Sequence, residues 1–184
     1  MSRDIGLLGH LQAHLGAVEQ IQSAESVAGN RGFDLVFFNM PDPGISTVVT
    51  NGLRLQKITS MMPEELVCSL WEGQRHIAQY LAESLATMLV QTGQGLDYGM
   101  VVESEEPLIE DSPIQAVLAH PSPFFGDKFS LYPDSQEPEV QLVSLIPITS
   151  AEAAFAQEQS KEALFAKFEE NRVKILDVNR PSAA

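Results

Sequence analysis

The sequence predicts a single α/β domain. Three observations predict it: short runs rich in β-branched and aromatic residues, segments whose apolar residues recur every three or four positions, and 184 residues of 44% apolar content. That length buries one sizeable core, and the composition gives no reason to invoke wholesale disorder.

Taken in order, Leu8, Leu11, Leu15 and Val18 form an amphipathic stripe that predicts a helix over roughly the first twenty residues. Gly6, Gly9 and Gly16 each weaken it by about 1 kcal/mol relative to alanine. A polar, small-residue stretch from Ser23 to Gly32 precedes Asp34-Leu35-Val36-Phe37-Phe38-Asn39, which reads as a strand. Pro41-Asp42-Pro43-Gly44 turns the chain into a second strand, Ser46-Thr47-Val48-Val49-Thr50. Asn51-Gly52 readily adopts positive φ in a tight hairpin, so Leu53, Leu55 and Ile58 are expected to return antiparallel. Glu64 to Leu70 is mostly apolar and reads as an interior strand, with Trp71 at its end.

The clearest helix runs from about Gln74 to Gln91, with Ile77, Tyr80, Leu81, Leu85, Met88 and Leu89 on one stripe. Gly93 or Gly95 stops it. Between residues 96 and 139 the apolar pieces Met100-Val101-Val102, Ala116-Val117-Leu118-Ala119 and Phe129-Ser130-Leu131-Tyr132 predict short strands between acidic, proline-rich loops. Val140 to Ile146 alternates as a strand, and Pro147, with no N–H to donate, is expected to end its ladder. Thr149-Ser150-Ala151-Glu152 is a capping box that starts a helix. A further amphipathic segment from about Ser160 places Leu164, Phe165 and Phe168 on one face. The domain is expected to span residues 1–176, with 177–184 a flexible tail.

Charge narrows the function classes. Twenty-five acidic against eleven basic residues give a net charge of −14, which repels nucleic acid and anionic membrane. The excess is regional: residues 97–139 carry ten carboxylates against Lys128 alone, a net −9. The N-terminus has neither the basic start nor the unbroken apolar run of a signal peptide, and no stretch approaches the roughly 18 apolar residues that span a bilayer. A cytoplasmic location is therefore expected. Cys68, the only cysteine, sits in an apolar run and is expected to be buried and unreactive.

The residues that could carry chemistry do not assemble into a catalytic set. His10 and His14 have the four-residue spacing that lets two imidazoles share a metal on a helix, but no third ligand adjoins them. His76 and His120 are isolated, and Gly93-Gln94-Gly95 follows a helix instead of opening one, which suits a helix stop better than a phosphate loop. The carboxylates between Glu103 and Asp111 lack the central glycine and spacing of a calcium loop. They read as a solvated run or as an electrostatic surface for a basic partner. Phe124 and Phe125, beside Pro121 and Pro123, are expected to pack onto the core. No enzyme activity, metal or cofactor is expected.

Three features then occur in order: Thr47-Val48-Val49-Thr50-Asn51-Gly52-Leu53, Glu64-Glu65-Leu66-Val67 before a long helix, and Val140-Gln141-Leu142-Val143-Ser144-Leu145-Ile146-Pro147-Ile148-Thr149-Ser150-Ala151-Glu152. Together they resemble the suppressor-of-fused domain family over roughly residues 33–168. The resemblance implies an α+β domain with a mixed, largely antiparallel central sheet flanked by helices and no catalytic site. Its animal members bind and restrain a transcription factor, and many bacterial members look like immunity proteins against polymorphic toxins. The matching residues carry over as fold markers and designate no contact residue. The expected function is therefore protein binding, with toxin immunity first and capture of an extended peptide by a regulatory adaptor second. A metal-assisted hydrolase is the third reading. The expected partner is another protein, a basic toxin domain in the first case, met by a surface built from Asp97, Glu103, Glu105, Glu106, Glu110 and Asp111.

Overall fold

Successive side chains of a strand point to opposite faces of its sheet, and Asp34–Met40 uses both faces for burial. Leu35 and Phe37 join one apolar core, Val36 and Phe38 another. A sheet that is apolar on both faces must be covered on both. The computed structural model, which describes residues 5–184, shows how. The chain runs α1 (Ile5–Leu15), β1 (Val18–Gln22), β2 (Glu25–Ser26), β3 (Gly29–Asn30), β4 (Asp34–Met40), β5 (Ile45–Asn51) and β6 (Glu64–Trp71). It continues through α2 (Arg75–Thr92), β7 (Val101–Glu103), β8 (Ile114–His120), β9 (Leu131–Tyr132), β10 (Val140–Thr149), α3 (Ser150–Glu158) and α4 (Lys161–Glu170).

One sheet in the order β1-β4-β5-β6-β10-β8-β7 organises the domain, with β9 paired to the first residues of β10 and β2–β3 a separate small hairpin. Its pairings are antiparallel except β6 with β10, where Gln141–Ser144 runs parallel to Glu64–Val67. This is the mixed, largely antiparallel α+β sheet expected. Helix α2 covers one face through Ala78, Leu81, Ala82, Leu85, Ala86 and Leu89. On the other face Leu7, Leu11 and Leu15 of α1 cover the β4–β5–β6 half, while Ala153, Leu164 and Phe168 of α3 and α4 cover β8 and β10. No helix among the described residues is long and apolar enough to cross a membrane.

Several expectations change in detail. Helix α1 ends at Leu15, not near residue 20, because Gly16 turns at φ +87 and Val18 begins an edge strand. Gly52 does adopt φ +114, but Leu53–Leu55 forms a 3-10 turn instead of a returning strand, and β4 and β6 flank β5. On α2 the sheet-facing row is rich in alanine, while Tyr80, expected on the apolar stripe, is 52% exposed. The piece around Ala116–Ala119 is a seven-residue interior strand, whereas only Leu131 and Tyr132 of the third piece pair as strand.

Pro147 does not end β10, which continues to Thr149. A residue's N–H and C=O point to the same side of a strand, and the Pro147 carbonyl accepts from Arg180 Nη2 at 3.1 Å. The missing N–H therefore lies on the side away from β8, where the β6 ladder has already stopped at Ser144. The capping box forms as expected: Thr149 Oγ1 accepts from the Glu152 N–H at 3.2 Å, and Glu152 Oε2 accepts from the Thr149 N–H at 2.9 Å. The segment 177–184, expected as a flexible tail, is anchored instead. Val178 lies in the α2-side core and Arg180 is buried against Glu152.

Candidate functional site

Carboxylates are the chemical theme of this chain, and two sets of them stand out, three buried individuals and five exposed ones around the β7–β8 loop. Glu64, Glu65 and Glu152 each have at most 1% of their surface exposed. A charge taken out of water needs hydrogen bonds and a counter-charge. Glu65 sits where the Thr50–Arg54 turn wraps it: Thr50 Oγ1 donates at 2.6 Å, the Gly52 N–H at 2.8 Å and the Leu53 N–H at 3.2 Å, and the Arg54 guanidinium pairs with it. Burial pushes this carboxyl above its usual range, against the pull of Thr50, Arg54 and the Gly52 N–H. The Asn51-Gly52 pair thus shapes an anion nest for the neighbouring strand, which is why no hairpin forms there.

Glu152 accepts from both guanidinium nitrogens of Arg180, at 2.6 and 2.9 Å, and from the backbone of Thr149 and Ala183. Burial by itself would raise this carboxyl, but Arg180 and the two N–H groups bring it below the usual carboxylate value. Glu64 is different. Its oxygens accept from the Leu96 N–H at 2.8 Å and from Gln141 Nε2 at 3.1 Å, yet it belongs to no ion pair among the described residues. Burial pushes it up, the two donors oppose this, and the nearby charges of Asp97 and Glu65 raise it further.

Of the six carboxylates singled out by sequence, five are close together in the chain. Glu103 ends β7, Glu105, Glu106, Glu110 and Asp111 follow in the β7–β8 loop, all five are exposed, and none forms an ion pair among the described residues. The loop is fastened from inside. Leu108 and Ile109 pack on the α2-side core, the Leu108 N–H reaches the Ile114 carbonyl at 3.1 Å, and the Ser112 hydroxyl donates to the Val178 carbonyl. Asp111 takes φ +57 to complete the turn. Asp97 lies apart, near the start of β10, and is half-buried. Its Oδ1 accepts from the Met61 N–H at 3.0 Å and from Gln141 Nε2 at 3.2 Å, so it braces a loop.

His10 Nε2 donates to the Phe129 carbonyl at 2.8 Å and His14 Nδ1 to the His10 carbonyl at 3.0 Å, with ring centroids 4.6 Å apart. The pair packs α1 onto the Phe129 loop, and no group of three metal-ligating side chains occurs among the described residues. Cys68 is fully buried, which pushes its thiol up to about 12. Phe124 and Phe125 are half-buried against the α4 and α1 cores respectively, as expected. Sequence reading missed Glu64 as a chemically distinct group. The signal was present: two adjacent charges, Glu64 and Glu65, head a strand that is otherwise apolar.

Comparison with known proteins bears on what this arrangement serves. A family model described as suppressor of fused protein (SUFU) matches residues 29–181. Among solved structures, a SUFU homolog from Neisseria gonorrhoeae is similar at TM-score 0.75 and 21% identity, covering 100% of this chain and 98% of that one. A Sufu–Fu complex is similar at TM-score 0.68 and 15% identity, covering 96% of this chain and 89% of that one. Drosophila Suppressor of Fused is similar at TM-score 0.69 and 15% identity, with 96% of this chain matching 49% of that one. None of the curated proteins matches the chain by sequence.

Proposed function

The chain belongs to the suppressor of fused family, and from that premise we propose that it is a non-catalytic protein-binding domain, an immunity protein that neutralises a toxin by covering a basic surface. The observation that carries this reading is the β7–β8 loop. Five carboxylates stand exposed at the end of β7 and on the loop that follows it, which is held to the core, and they belong to no ion pair among the described residues, so their field is available to a partner without a prior ordering cost. That a family structure is a Sufu–Fu complex supports binding of another protein as the use of this fold. Opposite charge accelerates encounter and fixes register, while apolar anchors set much of the affinity.

The test is to capture the partner from the native host with the purified chain and measure association at rising ionic strength. The association rate is expected to fall by about tenfold or more between low and high salt. A salt-insensitive rate would remove the electrostatic part of the proposal. A second reading, an adaptor that adds an extended peptide to the sheet, is favoured by one observation. β7 ends the strand order, so the outer side of Val101–Glu103 pairs with no strand among the described residues.

A further inference from the structure

Glu64 is the exception among the three fully buried glutamates, since Glu65 and Glu152 each hold an arginine of this chain and Glu64 holds none among the described residues. It also lines a cavity of about 190 Å³ at the head of β6. Drug-sized ligands occupy pockets of roughly 300–1,000 Å³, so this one has room for a single long side chain. Leu53, Ile58 and Pro63 contribute apolar wall. The remaining lining is polar in a particular way. Ser60 Oγ donates to the Met62 carbonyl at 2.7 Å and keeps its lone pairs. Gln56 spends its Nε2 on the Gly32 and Gly52 carbonyls, leaving Oε1 with no donor among the described residues. The Arg54 guanidinium on the cavity wall is neutralised by Glu65.

We propose that this cavity is the socket for one lysine side chain of the protein partner, its methylene stem against Leu53, Ile58 and Pro63 and its ammonium on Glu64; this rests on the protein-binding reading above. An ammonium carries three donors, and the lining supplies acceptors for it in the Glu64 carboxylate and Ser60 Oγ. Lysine fits better than arginine. Its ammonium is a compact point charge on an unbranched stem, which suits a cavity of about 190 Å³ better than a broad planar guanidinium does. Gly95 backs the site so closely that a Cβ there would stand 2.4 Å from Ser60 Cβ and 2.8 Å from Glu64 Oε1, which holds those two groups side by side. Leu55 and Met61, next in sequence to the lining residues Arg54, Gln56 and Ser60, are exposed and offer apolar surface to the residues flanking the lysine.

The full chain, isotope-labelled, is titrated by NMR with n-butylammonium, with Nα-acetyl-lysine methylamide, with putrescine and with n-butanol. Saturable shifts at Leu53, Ile58 and Glu64 are expected for butylammonium and the capped lysine, with none for butanol. Glu64→Gln should weaken both by about tenfold or more, the loss expected of a charge-assisted contact. Ser60→Leu, which fills the cavity and keeps the carboxylate, should do the same, so the result does not hang on one variant. Silence from both amines, wild-type titration of Glu64→Gln, or saturation by putrescine with the capped lysine silent would each overturn the lysine socket. The titration contains no partner, so its failure leaves the acidic-loop proposal standing. A salt-insensitive association rate would likewise leave the socket standing.

Discussion

Glu152 and Arg180 form a two-point ion pair inside the fold, Nη1 to Oε1 at 2.6 Å and Nη2 to Oε2 at 2.9 Å, that ties the start of α3 to the last residues of the chain. The same carboxylate completes the capping box, so one side chain serves two structures. Arg180→Met would leave the Glu152 charge buried without its cation, and a loss of about 3–5 kcal/mol is expected. Denaturant unfolding checks it. The double variant Arg180→Met with Glu152→Met should lose clearly less than the sum of the two single changes, because no orphan charge remains.

Acid should reach this pair in a definite direction. The Glu152 carboxyl lies below its ordinary value when folded, so its contribution is fully present above the ordinary carboxylate range and is lost as pH falls through that range toward the folded value. Glu64 has the opposite sign. Its folded value is raised, so its charged form costs stability above that value. Glu64→Gln is therefore expected to stabilise the protein near neutral pH, with the gap closing below the ordinary carboxylate range. Midpoints of urea unfolding measured across pH, wild type against Glu64→Gln, decide this, and destabilisation at neutral pH would contradict it.

Thr50 is a bridge as well as a ligand. Its hydroxyl donates to Glu65 at 2.6 Å and accepts from the Leu66 N–H at 2.8 Å. Thr50→Val keeps the shape, takes one donor from Glu65 and strands the Leu66 N–H, at an expected cost of about 1–3 kcal/mol for the orphaned buried N–H alone. Thermal unfolding of Thr50→Val beside Thr50→Ser, which keeps the hydroxyl, separates the hydrogen bonds from the lost methyl.

The acidic loop should be nearly neutral for folding and decisive for encounter. Glu105→Lys with Glu106→Lys changes two exposed side chains, so stability should move by no more than about 0.5 kcal/mol per site. Association with the captured partner should slow by about tenfold, with its salt dependence flattened and the dissociation rate little changed. Stopped-flow association and dissociation traces test the two halves separately.

Removing the last segment separates an anchored end from a loose one. Deletion of residues 177–184 takes away buried Val178 and the cation of Glu152, so a loss of several kcal/mol is expected, on the order of the 3–5 kcal/mol for an orphaned buried charge. Wild-type stability in the truncated chain would mean that the segment is only laid on the surface.

What the sequence determines by itself is local. The β-branched and aromatic run of Asp34–Met40, the alternation of Val140–Ile146, the stripe of α2 and the capping box at Thr149 and Glu152 are written in residues within a few positions of one another, and each appears in the fold. So is the acidity of the β7–β8 loop, because charge is a property of composition. Tertiary structure decides what depends on a distant partner. Gly52 has positive φ in either reading, but the Glu65 carboxylate, thirteen residues on, turns a hairpin signal into a nest. Pro147 stays in its strand because its missing N–H falls on the side away from β8, where the β6 ladder has already stopped at Ser144 and Arg180 meets its carbonyl. Asp97 leaves the acidic group because Gln141 and Met61 hold it at the other end of the strands. A carboxylate's role follows from what faces it, and for Glu64, Glu65 and Glu152 that is fixed only when strands far apart in the chain come together.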